Sequence, residues 1–171
     1  MKLKKYLFKS VTSTNDIAIK KIKQGKTSGV IIAKKQTKGR GRYGNRWIYL
    51  RNNLFMSVFF ILKLNLTLSK LTLNSCKIVK KSLQKFLNKK ITIKKPNDLL
   101  IDKRKVCGIL QETLVFKNNQ FVIIGIGINV NGSPIIKNYP TTYLNNFTKK
   151  KITSFKIYNE IKNNFETYLN K

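Results

Sequence analysis

Five short segments carry residues whose types and spacing can do chemistry. They are Ser13-Thr14-Asn15, the run QTKGRGRYGNRW from Gln36 to Trp47, KKPNDL at 94 to 99, KVCGI at 105 to 109, and GIGINV at 125 to 130. The second sets Gly39, Gly41 and Gly44 among Arg40, Arg42 and Arg46 and closes on Trp47. Glycine allows positive φ and a close backbone approach. Arginine presents a rigid fork of donors matched to phosphate or carboxylate. Such a loop can enclose an anion, but by itself it leaves open whether that anion is nucleic acid, a mononucleotide phosphate or a protein surface. Lys105 and Asp98 add a mobile cation and one of only six acids in the chain. There is no histidine, which excludes imidazole acid–base catalysis and histidine metal ligation.

These segments need a scaffold, and the hydrophobic pattern supplies one. Residues 6 to 11 read as a strand. Ser13 is placed to cap a helix over about 14 to 23, with Asp16 as the capping-box acid and Ile17, Ala18 and Ile22 inward. GVIIAKKQ (29 to 36) is β-branched and reads as a strand, and LFMSVFFIL (54 to 62) as a strand covered on both faces. Thr67 to Asn88 is an amphipathic helix with Leu68, Leu71, Ser75, Ile78, Val79, Leu83 and Phe86 along one stripe. ITIK (91 to 94) is a short strand broken by Pro96. Segments 105 to 116 and 120 to 130 have hairpin spacing across Lys117, Asn118 and Asn119. A polar, irregular stretch over 131 to 151 leads to a final helix, 154 to 169, with Phe155, Tyr158, Ile161, Phe165 and Leu169 on its apolar side. The expected class is α+β, a mixed sheet with helices against it. It is not a βαβ repeat with a dinucleotide fingerprint. Four of the five segments fall where a strand hands over to a turn, which is where binding groups collect on a rigid frame.

Composition bounds the rest. The 171 residues suffice for one domain with a core. The net charge is +30, yet only five of the 36 basic residues are arginines and the lysines are spread along the whole chain. That distribution fits a drift in composition better than a nucleic-acid footprint, although it favours partners with an acidic surface. Cys76 and Cys107 form no CxxC pair and sit among apolar neighbours, as buried free thiols of a reducing compartment do. No signal-peptide pattern is seen, and the 54 to 62 run is too short to cross a bilayer as a helix, so a cytoplasmic location is expected.

Taken in order, GRGR-x-G-x-x-W, PND, K-x-x-G-I and GIGIN resemble the catalytic domain of the biotin protein ligases over about residues 8 to 131. The resemblance implies a mixed sheet related to class II aminoacyl-tRNA synthetases. It also implies a two-step reaction: biotin and ATP, with nucleotide-bound magnesium, form biotinyl-AMP and pyrophosphate. A lysine of a biotin carboxyl carrier protein, or of the carrier domain of acetyl-CoA carboxylase or a related carboxylase, then takes the biotin and releases AMP. Lys105 is the implied catalytic lysine, touching the biotin carboxylate and the α-phosphate. Arg40 is implied in closing the loop over biotin and the adenylate phosphate, and Arg42 in meeting the phosphates. Gly39, Gly41 and Gly44 let that loop fold over the ligand. Ser13, Thr14 and Gln36 match residues that meet the ureido head, and Gly108 the glycine whose backbone lies along biotin. Asn97 and Asn129 match asparagines near the nucleotide. Asp98 matches an aspartate implicated in the second step. A helix cap at Ser13, a turn cap at Asp98, and an anchoring rather than ligand-facing role for Trp47 stay open beside these roles. No residue spacing points to a protein-built metal site.

The chain departs from the family in three places. Lys95 stands where KWPND has its tryptophan. The first motif begins by residue 13, so no N-terminal helix-turn-helix and no specific DNA binding are expected. The small C-terminal domain of many bacterial members is expected to be absent. Residues 1 to 171 are then read as a single catalytic domain, monomeric or homodimeric. The readings left beside it are a lipoate/octanoate ligase-like enzyme and a non-catalytic biotin-, nucleotide- or RNA-binding module.

Overall fold

The computed structural model describes residues 1–62 and 67–170. Its frame is a seven-stranded sheet built from β1 (Lys5–Val11), β2 (Ser28–Gln36), β5 (Leu54–Ile61), β6 (Ile91–Lys94), β7 (Asp98–Ile101), β8 (Arg104–Phe116) and β9 (Asn119–Ile128). The spatial order is β1-β2-β5-β9-β8-β7-β6. β1 and β2 are parallel and all other pairs are antiparallel. Helix α1 (Thr14–Lys23) is the crossover between the parallel pair. Helices α2 (Leu68–Gln84) and α3 (Ser154–Leu169) complete the set among the described residues.

Alternation along the strands divides the core in two. Ile31, Phe59, Phe121 and Ile123 face α1, against Ala18 and Ile22. Val30, Met56, Val58, Val122, Ile124, Ile126 and Ile128 face the opposite way, against Leu71, Val79 and Leu83 of α2 and Ile161 and Phe165 of α3. β5 sits between β2 and β9, and residues 54 to 60 are all buried, so its continuous apolar run is that of a strand covered on both faces.

Several local expectations are corrected. Ser13 does cap α1, but its Oγ accepts from the Asn15 N–H, and Asp16 does not complete a capping box; its carboxylate turns to Arg40 instead. α2 ends at Gln84, four residues short of the expected Asn88. Leu68 and Phe155 are exposed, the latter lying under the Lys5 ammonium. The PND segment is not only a turn, because Asp98 opens β7, which pairs with both β6 and β8. The β8–β9 turn is two residues, Lys117 and Asn118, both left-handed, as a tight hairpin requires.

The Gly-Arg loop carries a hairpin of its own. β3 (Gly39–Arg40) pairs with β4 (Arg46–Trp47), and Tyr43 and Gly44 turn the chain with φ of 55° and 75°. Gly44 is the one residue there that takes this conformation without a Cβ penalty. Tyr43 is thrown out to solvent, 87% exposed.

Candidate active site

The parallel pairing of β1 with β2 brings two of the sequence segments together. Val11 lies opposite Gln36, so the chain leaving β1 places Ser13, Thr14 and Asn15 beside the end of β2. Gln36 Oε1 accepts from the Thr14 N–H (2.8 Å) and from Thr14 Oγ1 (3.1 Å). The Ser57 hydroxyl of β5 lies 2.7 Å from Thr14 Oγ1 and 2.5 Å from Asn15 Oδ1. Asn15 Nδ2 in turn donates to Glu112 Oε2 at 2.5 Å. Ser13, Thr14, Asn15, Gln36 and Ser57 are all buried. Polar groups withdrawn from water must find partners, so this network is held in one arrangement.

Antiparallel register brings the other segments onto the same face. Asp98 pairs with Gly108, Gly108 with Gly127, and Gly127 with Phe55. The two glycines leave a bare strip of sheet, and the Trp47 indole lies on it. A Cβ at Gly108 would come within 2.7 Å of Trp47 Cζ3, and one at Gly127 within 2.3 Å of Trp47 Cε2. The neighbouring Gly125 gives the same room to Asn15, whose Oδ1 lies 2.5 Å from where a Cβ would stand. Trp47 Nε1 is buried without a hydrogen-bond partner.

Beside this strip, Lys105 Nζ pairs with Asp98 Oδ1 at 2.8 Å, with side chains 20% and 14% exposed. Asp98 Oδ2 accepts from the Tyr139 hydroxyl at 2.6 Å. The Lys105 ammonium stands 5.4 Å from the ring centroids of both Trp47 and Tyr139. Tyr139 is brought here by the chain on either side of it. Lys105 N–H donates to Pro140 O and Thr142 N–H to Lys105 O, which lays residues 140 to 142 along the start of β8. Burial, with the hydrogen bond to Asp98, raises the pKa of the Tyr139 phenol, which keeps it a proton donor.

Most of these groups line one cavity of about 1090 Å³, with Ser57 and Glu112 behind its lining. Of the residues singled out in the sequence, Ser13, Thr14, Gln36, Arg40, Arg42, Trp47, Asn97, Asp98, Lys105, Gly108 and Asn129 line it. Gly39 does not. It packs against Gln36 and the Trp47 carbonyl, with no room for a Cβ, and so lets the loop close onto β2. Asn97 Nδ2 donates to Ile109 O, while its Oδ1 faces Arg42 Nη1 at 3.5 Å. Asn129 is buried and donates to Thr142 O. Arg42 stacks over Tyr43 and points toward the Asp98 end.

Arg40, the residue expected to close the loop over the ligand, is paired with two carboxylates. Its Nη1 lies 2.6 Å from Asp16 Oδ1 and its Nη2 3.2 Å from Glu112 Oε2. Burial opposes the guanidinium charge, but Asp16 and Glu112 outweigh it and the Arg40 pKa is raised. Two of the six acids are thus committed to this arginine.

Sequence reasoning missed Tyr139, Ser57 and Glu112. Ser57 lies inside a run that otherwise reads as pure core, and a lone serine there was the available signal. Glu112 was equally visible as a rare acid on the site-facing side of β8. Tyr139 had no sequence signal, lying in a polar stretch without periodicity. Among the described residues no group of three or more His, Cys, Asp or Glu is gathered to hold a metal ion, and no helix is long and apolar enough to cross a membrane.

The mixed sheet flanked by three helices matches the structures of biotin protein ligase catalytic domains, a class II aminoacyl-tRNA synthetase-like fold. Residues 7–129 match the model of the biotin/lipoate A/B protein ligase family, and the chain belongs to that family. It is similar to the bifunctional ligase/repressor BirA of Bacillus subtilis (strain 168), at 39% identity over 110 residues, which is 61% of this chain and 33% of the relative. With BirA of Escherichia coli (strain K12) the identity is 34% over 124 residues, 70% of this chain and 38% of the relative. The chain thus spans about a third of the length of these curated relatives. Its fold matches the biotin protein ligase from Aquifex aeolicus in complex with biotin and ATP, with a TM-score of 0.82 and 28% identity, over 98% of this chain and 71% of that one. The biotin protein ligase from Leishmania major in complex with biotin matches with a TM-score of 0.81 and 26% identity, over 92% of this chain and 71% of that one.

Proposed function

We propose that residues 1 to 171 act as a single biotin protein ligase catalytic domain that forms biotinyl-5′-AMP and passes biotin to a lysine of a biotin carboxyl carrier protein, or of the carrier domain of a carboxylase. The observation that carries this reading is the division of one cavity into two chemistries. A buried, neutral hydrogen-bonding floor (Ser13, Thr14, Gln36) stands at one end and a cationic end (Lys105, Arg42) at the other, with the glycine strip between them. A ureido head needs matched neutral donors and acceptors, because each buried group left unpaired costs about 1–3 kcal/mol. The ligand's chain then runs past Trp47, which is seated on Gly108 and Gly127, with its carboxylate toward the cations.

In the first step the biotin carboxylate oxygen bonds to the α-phosphorus of ATP, and the bond to the pyrophosphate leaving group breaks. Two anions must meet, so fixed positive charge at the point of contact lowers the barrier. Lys105, on a flexible stem, follows charge from carboxylate to phosphate, and Arg42 holds the phosphate with a rigid fork. Asn97 and Asn129 border the nucleotide. Magnesium would be held mostly by the nucleotide's own phosphates.

In the second step the acceptor amine attacks the acyl carbon, a C–N bond forms, the C–O bond to AMP breaks, and the amine loses a proton. In this reading Asp98 takes that proton as a general base once the bound anion has drawn Lys105 away from it. The loop from Gly39 to Trp47 keeps water from the mixed anhydride between the steps. ATP as substrate and two free, buried cysteines fit a cytoplasmic enzyme.

The test is incubation with labelled ATP, magnesium and biotin, with lipoate and octanoate in parallel, followed by an acceptor domain. Biotinyl-AMP and a labelled acceptor are expected. Adenylate from lipoate or octanoate alone would move the protein to the other branch of its family. Biotin binding with no adenylate at any ATP concentration would make it a binding module.

A further inference from the structure

The hydrogen bonds beneath the cavity floor run in one direction, fixed by groups that can play only one part. Glu112 on β8 is a carboxylate and only accepts. Asn15 therefore turns its Nδ2 to Glu112 Oε2 and its Oδ1 to Ser57 on β5. An amide oxygen only accepts, so the Ser57 hydroxyl gives its single proton to Asn15 Oδ1, 2.5 Å away. Ser57 Oγ then has only lone pairs left for Thr14 Oγ1 at 2.7 Å, and Thr14 must donate to it. Ser57 takes the main share of that proton and Gln36 Oε1, at 3.1 Å, a weaker one. The Thr14 N–H also holds Gln36 Oε1, which turns Gln36 Nε2 away as a donor. Ser13 Oγ accepts from the Asn15 N–H and keeps its own proton to give. Thr14, Asn15 and Ser57 are buried, so no water relaxes this order.

We infer that Glu112 and Ser57 are positioning residues that set the specificity of the floor through Asn15: they draw the Thr14 proton into the protein, so that Thr14 Oγ1 meets the ligand as an acceptor while Ser13 and Gln36 meet it as donors. One acceptor beside two donors is the complement of a cyclic urea, with its N–H and its carbonyl. The head of a lipoyl or octanoyl chain offers neither. The inference rests on the proposed function for the identity of the ligand. The opposite order would have Asn15 donate to Ser57, Ser57 to Thr14, and Thr14 to the ligand. Glu112 forbids it, because Asn15 Oδ1 would then face a carboxylate.

The test uses biotin and its two cyclic carbamate analogues, in which one or the other ureido N–H is replaced by a ring oxygen of similar size. Binding to the full chain is measured by isothermal titration for the wild type, Glu112→Gln and Ser57→Ala. In the wild type, the analogue whose ring oxygen faces Thr14 is expected to bind roughly ten- to hundredfold more weakly than biotin, because two acceptors then meet. In both variants that gap should shrink about tenfold. Glutamine at 112 can offer Asn15 either an oxygen or a nitrogen, and alanine at 57 releases the Thr14 proton, so Thr14 can donate to the ring oxygen. A mere loss of packing would weaken biotin and the analogue alike and leave the gap as it was. Ser57→Ala keeps the Glu112–Arg40 ion pair, so a response shared by both variants does not come from the loop. Equal binding of all three ligands by the wild type, or a gap that stays the same in either variant, overturns the inference and leaves the proposed function standing. A wild type that binds no biotin sinks the proposed function itself.

Discussion

Lys105 Nζ lies 2.8 Å from Asp98 Oδ1, and the pair is made by strand register. β7 and β8 fold back on each other with a shift between Leu99 and Leu100, so Lys105 pairs with Leu100 in the ladder while its side chain reaches back to Asp98. The cation and the acid assigned to different steps are therefore one electrostatic unit before any ligand arrives. An incoming carboxylate or phosphate competes with Asp98 for Lys105, and binding it frees the Asp98 oxygen.

Removing Lys105 should silence the first step. Lys105→Ala is expected to lower the rate of adenylate formation about a hundredfold or more, the scale seen when a donor aimed at developing charge is lost. Lys103, exposed in the tight turn between β7 and β8, serves as the control, and Lys103→Ala should leave the rate within about twofold. Pyrophosphate release, measured with both variants, is the check; equal losses would point to general electrostatics rather than to this position.

Tyr139→Phe deletes one hydroxyl and leaves the ring beside Lys105. The Asp98 oxygen loses a donor, at a cost of roughly 1 kcal/mol in stability by denaturant unfolding. With that donor gone the Asp98 carboxylate is held less firmly, so the transfer step should slow several-fold at fixed pH while adenylate formation changes little. Single-turnover transfer from preformed biotinyl-AMP reads this directly. An unchanged transfer rate would leave Tyr139 with packing alone.

Gly127→Ala tests the bare strip. The added methyl meets the Trp47 indole rather than flexible side-chain ends, so the ring must leave its seat. The strand conformation itself accepts alanine. The expected outcome is a folded protein with a red-shifted Trp47 emission and biotin affinity weakened about tenfold or more by isothermal titration. Tight biotin binding with unmoved Trp47 emission would show that the sheet yields instead.

The acid limb of stability should depend on Glu166. Burial opposes its charge, yet donation from Lys162 and from the Leu3 N–H at 2.6 Å outweighs this and lowers its pKa. A lowered carboxylate pKa gives stability that is present above the unfolded value of about 4.3 and lost as pH falls through the folded one. Glu166→Gln should therefore cost about 1 kcal/mol near neutrality and flatten the decline between roughly pH 5 and pH 2. Thermal unfolding of both proteins across that range is the measurement.

The amino-acid sequence by itself determined the frame and most of the site's composition, because both are local signals. Period-two alternation and the period-3.6 stripe of Leu71, Val79 and Leu83 separate strands from helices without tertiary information. Of the left-handed pair Tyr43-Gly44 only the Gly44 half is written in residue type, since Tyr43 takes that conformation against its Cβ. The glycines of GIGIN and KVCGI could be seen to matter, though not that Gly108 and Gly127 would lie side by side. That juxtaposition, the Asp98 opening of β7 and the arrival of Tyr139 beside Lys105 depend on which strands pair and in what register. Register is set by the packing of whole faces, not by neighbours in the chain. The same holds for charge. Asp16 satisfied the local spacing of a capping box, but a free arginine fork from a distant loop is a stronger partner for a carboxylate than a single backbone N–H. Only the folded molecule, which brings Arg40 between Asp16 and Glu112, decides which of those two bonds is made.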